Sequence, residues 1–245
     1  MHKLSIAALI FVCAAALGAC RQLAREPQSA GHTHDTPAER ASTANRDKHA
    51  DPDVQQYIAR LQSEERVADL QIGVVVGKLA LPADAVIGDL GCGPGLFAVA
   101  FAQACARGVV YASDIEPAQL DQVRQRLVRN DLRNVVPVLA SADDPHFPPA
   151  RLDVVFIGDT YHHLSDRVAY MRRLQSTLRP TGRLVVLEYK PGDLAVGPPA
   201  DHKLPEGVMR RELSDAGYTL VEHFDTHPYH DFEIWRVLQA WEKAR

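Results

Sequence analysis

Cysteine is sparse in this chain of 245 residues: there are four, and two of them, Cys13 and Cys20, fall near its start. The remaining pair, Cys92 and Cys105, has neither the number nor the spacing of a disulfide framework or a zinc site. Both read as ordinary thiols near a core helix. A basic surplus is missing too. The formal net charge is −4, and Lys3 with residues 21–50 carries six of the positive and four of the negative charges, which leaves the body near −6. An acidic body repels a phosphate backbone, so nucleic acid is not an expected partner. Internal repeats are absent. The one long apolar run, Ile6 to Leu17, is too short to cross a bilayer.

That run has a different use. "MHKLSIAALIFVCAAALGAC" combines a basic start, an apolar centre and a close on small residues, the pattern of a signal peptide over residues 1–19. Its end, Leu17-Gly18-Ala19-Cys20, resembles the bacterial lipobox, in which the peptidase cuts before a cysteine that carries diacylglycerol. Arg21 follows instead of the aspartate that retains such proteins at the inner membrane. The resemblance therefore implies a membrane contact through lipidated Cys20, on the outer membrane and facing the periplasm. If the signal is not processed, the protein is cytoplasmic. Residues 20–50 are charged, small and polar with no apolar period, as a solvated tether should be. His32 and His34 within it lack the further ligands of a metal site.

From residue 51 to the end the pattern is that of one domain. Residues 51–81 carry apolar positions at helical spacing (Val54, Ile58, Leu61, Val67, Leu70, Val74) and predict one or two helices capping it. Then strand and helix patterns alternate. "AVIGDL", "VVYASD", "VVPVLA", "LDVVFIGD", "TGRLVVLEY" and "YTLVEHF" read as strands, and "FEIWRVLQAW" as a last strand running into a short tail. Between them "GLFAVAFAQACA", "PAQLDQVRQRLVRN", "SDRVAYMRRLQSTL" (capped by Ser165) and "EGVMRRELSDAG" read as helices. Pro137 would weaken a central strand. The expected architecture is α/β: a doubly wound, Rossmann-like, mostly parallel seven-stranded sheet with an N-terminal helical cap, binding ligands at the carboxyl ends of its strands.

The first strand runs into "DLGCGPG", with Gly91, Gly93 and Gly95 enclosing Cys92. Such a turn brings the unpaired N–H groups of a helix N-terminus up to a ligand, and glycine lets the backbone come close. The dinucleotide frame G-x-G-x-x-G would need glycine at 96, where Leu96 stands. A nicotinamide-dependent oxidoreductase is disfavoured accordingly. Over roughly residues 51 to 235 the chain resembles the class I S-adenosylmethionine-dependent methyltransferases. "VIGDLGCGPG" is similar to their first motif, which implies that the glycine loop passes the methionine end of S-adenosyl-L-methionine and that Asp89 supports its ammonium group. In "VVYASDIEP" the resemblance assigns the ribose hydroxyls to Asp114 and the adenine face to Ile115. It assigns the adenine amino group to Asp143 in "LASADDPHFPP", where Phe147-Pro148 stand for the usual Leu-Pro. "LRPTGRLVVLEY" is similar to the "LkPGG" approach to strand five.

The stretch after strand four, "GDTYHHLSD", puts Asp159, Tyr161, His162 and His163 at the rim of the same cleft, with Asp159 among the cofactor contacts. A histidine near its reference pKa suits a general base, so His162 or His163 is the candidate. The Tyr161 ring is a candidate to face the cationic sulfonium. No "NPPY"-type tetrapeptide follows, which argues against amino groups of adenine or glutamine as acceptors. The expected reaction is methyl transfer to a small molecule, in keeping with a resemblance to the small-molecule and quinone-type branch. A membrane-anchored binding protein that keeps the fold without turnover is the alternative. That alternative has a motive, because the cofactor is made in the cytosol and the first methionine after Met1 is Met171, inside the domain. "EHFDTHPYHDFE", with Asp225, His227, His230 and Asp231, reads as a solvated polar turn.

Overall fold

A computed structural model of the chain describes residues 54–238. The signal-like stretch, Cys20 and the tether lie outside the described residues. Three short helices come first, where the sequence predicted one or two: α1 Val54–Leu61, α2 Glu64–Leu70 and α3 Ile72–Leu79. The breaks have local causes. Ser63 accepts the Arg66 N–H and starts α2, and Gln71 between α2 and α3 is left-handed at φ 43°. Each helix buries a narrow stripe: Ile58, then Leu70, then Val75 and Leu79.

The rest alternates as the apolar periods predict. It runs β1 Val86–Leu90, α4 Leu96–Ala104, β2 Val109–Asp114, α5 Pro117–Arg129, β3 Val135–Leu139, β4 Leu152–Gly158, α6 Arg167–Leu174, β5 Leu178–Tyr189, α7 Val208–Asp215, β6 Tyr218–Phe224 and β7 His230–Val237. The seven strands lie in the order β3-β2-β1-β4-β5-β7-β6. β1 to β5 pair in parallel, and β7 inserts antiparallel between β5 and β6. β1 and β4 are central and almost wholly buried, as strands that are apolar apart from Asp89 and Asp153 should be. β3 is an edge strand, so Pro137 leaves no inner ladder bond unmade.

One face of the sheet packs on α3, α4 and α5, where the rings of Phe97 and Phe101 close on Phe156 at 4.4 and 5.1 Å. The other holds Met171, Leu213, Tyr218 and Trp235 against α6 and α7. Two boundaries differ from expectation. α6 begins at Arg167 with Asp166, not Ser165, at its N-cap, because Asp166 turns left-handed at φ 42°. β5 begins at Leu178, so the "LRPTG" approach is already strand.

The strand order reverses beside β1, whose neighbours are β2 and β4. At such a switch point the loops leaving adjacent strands diverge and open a crevice. The loops after β1 and β4 are the two that the sequence singles out. They touch: Thr160 Oγ1 donates to the Gly91 carbonyl at 3.3 Å.

Candidate active site

Gly91, Gly93 and Gly95 all have positive φ, at 67°, 52° and 85°. At Gly91 the need is also spatial, since a Cβ there would stand 2.3 Å from the Thr160 side chain. The loop is pinned to β2 by its own backbone. Gly91 and Cys92 N–H groups donate to the Ser113 carbonyl at 2.8 and 3.0 Å, and Gly93 N–H donates to Asp114 Oδ2 at 2.8 Å. Asp114 Oδ1 accepts the Glu116 N–H at 2.9 Å, so its carboxylate is fixed by two backbone donors at the crevice. Burial nevertheless raises its pKa, those two hydrogen bonds opposing.

Beside Asp114 two large apolar side chains face solvent, Ile115 at 55% and Leu139, the register partner of Asp114, at 53% exposed. Apolar side chains left bare around a polar anchor make a seat for a flat ring. Asp143 is exposed on the following loop, where Ser141 Oγ donates to its Oδ1 at 2.9 Å. Phe147 packs beneath β1, so close that a Cβ on Gly88 would meet its ring at 2.7 Å. Cys92 is buried in the core with its thiol on the Gly93 carbonyl, and burial pushes that thiol up. It offers the site backbone only.

Asp89 is the anomaly. It is 2% exposed, and its Oδ2 has no hydrogen-bond partner among the described residues. Burial, and then the charge of Asp114, push its pKa up to about 8, against the Ala98 N–H in the first turn of α4. A buried carboxyl oxygen with nothing to bind is costly unless a ligand completes it. The orphaned oxygen, the close glycine backbone, the tethered Asp114 and the bare Ile115 fit a cofactor with an ammonium group, a ribose and a flat base.

Across Gly91 the second half of the site is built on β4 and β5. Asp159 is left-handed (φ 48°) and its side chain is 4% exposed. The sequence put it among the cofactor contacts. The structure pairs it within the protein, 3.0 Å from Arg66 Nη2 of α2 and 3.2 Å from His230 Nε2 of β7, while it also lines the cavity and its Oδ1 makes no hydrogen bond among the described residues. Burial works against its charge, but the His230 hydrogen bond and Arg66 hold its pKa below the usual carboxylate range. Arg66 also donates to the Tyr189 hydroxyl at 3.0 Å. His227 and His230 are therefore buried, not in a solvated turn; His227 Nε2 lies 3.3 Å from the Leu70 carbonyl.

A one-turn helix, Tyr161–His163, follows. Tyr161 turns inward, fully buried, and its hydroxyl donates to Glu212 at 3.1 Å, so it does not face the cleft. His162 and His163 both line the cavity, their rings 3.8 Å apart. His162 sits on a carboxylate: its Nδ1 lies 2.8 Å from Glu188 Oε1, and its backbone N–H donates to Oε2 at 3.3 Å. Because a carboxylate can only accept, Nδ1 carries the proton and Nε2 is the basic nitrogen. Burial alone would lower the pKa of His162, but the hydrogen bond and charge of Glu188 outweigh it and raise it.

The cavity itself has a volume of about 1130 Å³. Cap residues Tyr57 and Arg66, the His162–His163 turn, Tyr189 and the segment after β5 enclose it. Arg66, Glu188 and Tyr189 escaped the sequence reading, in which His230 is part of a solvated turn. Glu188 alone left a signal there, an acid inside the apolar run of β5. Arg66 looks like any charge on an amphipathic helix.

Residues 88–186 match the family model described as a methyltransferase domain. The chain is 32% identical over 116 residues to the 27-O-demethylrifamycin SV methyltransferase of Amycolatopsis mediterranei (strain S699), covering 47% of this chain and 42% of that enzyme. It is 30% identical over 148 residues to the ubiquinone/menaquinone biosynthesis C-methyltransferase UbiE of Vibrio campbellii (strain ATCC BAA-1116), covering 57% of each. The chain thus spans about half the length of these relatives. Among solved structures, a SAM dependent methyltransferase from Aquifex aeolicus superposes with a TM-score of 0.71 at 20% identity, over 75% of this chain and 98% of that one. The fold is that of this solved S-adenosylmethionine-dependent methyltransferase structure, and the methyltransferase-domain match falls on residues 88–186, from β1 to β5.

Asp89 sets a pH test on the protein without ligand. Its folded pKa lies above the unfolded one, so the stability it lends while protonated is complete below about pH 4 and is lost as pH rises through about 8. Asp89→Asn keeps the shape and removes the titration. Urea midpoints should show the variant gaining on the parent between pH 6 and 9, by more than about 1 kcal/mol. Parallel pH profiles would contradict this.

Proposed function

We propose that this protein is an S-adenosylmethionine-dependent methyltransferase whose acceptor is a small molecule bound in the cavity beneath the cap. The observation that carries the reading is the meeting, across Thr160 and Gly91, of a buried Asp89 carboxyl oxygen without a protein partner among the described residues and a carboxylate-held histidine on the cavity wall. When bound, the cofactor supplies a methyl group on a sulfonium, open to displacement by an oxygen, nitrogen or carbon nucleophile.

Asp89 would pair with the ammonium group, and Asp114 would accept from the ribose hydroxyls. Ile115 and Leu139 would hold the adenine, with Asp143 available to its amino group. Gly91, Gly93 and Gly95 let the backbone approach the methionine end. On the acceptor side Nε2 of His162 takes the proton of an acidic hydroxyl or amine as the nucleophile advances. Glu188 holds the ring and stabilises the imidazolium, and is a positioning residue. The His163 ring lies against His162, tilted by 48°. The cap helices α1 and α2 keep water out, which in-line displacement at a fixed geometry requires. The two named relatives act on a rifamycin precursor and in quinone biosynthesis, both small molecules, and the acidic body offers no surface to a phosphate backbone.

Radiolabelled methyl transfer with cell extract tests the class. Label is expected in the extractable small-molecule or lipid fraction; label confined to solvent-resistant macromolecules contradicts it. Asp114→Ala should weaken cofactor binding by roughly 1–3 kcal/mol. His162→Ala should lower the rate by about 10²–10⁴ with cofactor affinity intact. A base works only when neutral, so activity rises with pH through the raised pKa of His162. Glu188→Gln removes the charge that raises it and should move that limb to lower pH. An unmoved limb, or full rate in His162→Ala, removes His162 from the mechanism.

The lipobox-like "LGAC" supports a further proposal, that Cys20 is the lipid-bearing first residue of an outer-membrane form facing the periplasm. Mass spectrometry of membrane fractions should find acylated Cys20 without residues 1–19. An intact N-terminus in the soluble cytosol would overturn it.

A further inference from the structure

The segment between β5 and α7 places a lysine where a lysine is costly. Lys203 is 8% exposed and lines the cavity. Its Nζ donates to the Gly192 carbonyl at 3.0 Å and lies 5.9 Å from the centre of the Tyr189 ring. Among the described residues no carboxylate comes within salt-bridge distance of it. That includes the acids of the cavity lining, Glu65, Asp69, Asp159 and Asp201. The half-buried cations of this wall are matched: Arg66 by Asp159, and Arg167 by Glu212 at 2.7 Å.

An ammonium has three donors, and the Gly192 carbonyl uses one. The ring face of Tyr189 offers diffuse attraction, not a counter-charge. The lysine is also held in place. Gly197, at φ 91°, lies so close on Tyr189 that a Cβ would stand 2.4 Å from the ring, and the Lys203–Gly192 bond closes the segment over it. A fixed, desolvated cation on a cavity wall lacks an anion, and the cavity has room to bring one.

We propose that the molecule taken up by this cavity carries an oxyanion, a carboxylate or sulfonate-like group, and that Lys203 reads it. The inference rests on the cavity being the acceptor site, and it narrows the acceptor to small acids.

Two fluorescent probes that share one ring frame test it on the full chain: anilinonaphthalene sulfonate, and phenylnaphthylamine, which lacks the sulfonate. The parent protein should bind the sulfonate at least about tenfold tighter than the neutral probe. Lys203→Met should erase that preference, and Lys203→Arg should keep most of it. Equal binding of the two probes by the parent, no binding of the sulfonate, or a preference unchanged in Lys203→Met overturns the proposal. A variant that merely loosens the segment weakens both probes alike and leaves the preference, which also counts against it. S-adenosylhomocysteine titrated into the same proteins reports separately: if the parent does not bind it, the cofactor reading falls while the probe preference still decides Lys203.

Discussion

A carboxylate sits almost wholly out of water at the end of the central strand β4, and it has to be matched. Asp159 finds its partners in two places far apart in sequence: Arg66 on the cap and His230 at the start of the last strand. Removing one partner of such a pair leaves a buried charge uncompensated, at a cost of about 3–5 kcal/mol. The pair need not add much net stability to be decisive, because it dictates arrangement. It holds α2 against the carboxyl ends of the strands, sets Arg66 on the Tyr189 hydroxyl and draws His230 inward. The cavity exists because these elements are held around it.

Cofactor and acceptor halves are coupled through the backbone. Gly91 carries no side chain, so Thr160 can close on it, and Thr160 leads into the turn that presents His162. On one side of this contact lies Asp89, whose buried Oδ2 has no hydrogen-bond partner among the described residues. On the other, Glu188 fixes the tautomer of His162. In the proposed reaction these would be the cofactor side and the proton-accepting side of one rigid joint, a geometry that displacement chemistry demands and loose loops do not provide.

Much of the fold was legible from periodicity. The seven strands fall where apolar runs end in turn residues, and "YTLVEHF" matches β6 residue for residue. Local conformational choices were harder to read. Gln71, Asp159 and Asp166 adopt positive φ without being glycine, and these positions split the cap, commit Asp159 inward and displace the expected cap at Ser165. The cofactor half was readable because its parts are contiguous: a loop, an acid at a strand end, a motif. The acceptor half was not, because Arg66, Glu188, His230 and Lys203 meet only in three dimensions. Tyr161 shows the same limit from the other side, since a one-turn helix decides which of three neighbours faces the cleft.

The proposed role of Asp89 is to receive the ammonium group of the cofactor. Calorimetric titration with S-adenosylmethionine at pH 6.5, in two buffers of different ionisation heat, measures this directly. At that pH the ligand's amino group is already charged and a carboxyl of pKa about 8 is still protonated, so pairing them must expel a proton. The account predicts binding with release approaching one proton, lost in Asp89→Asn. Absence of binding, or equal heats in the two buffers, would contradict it.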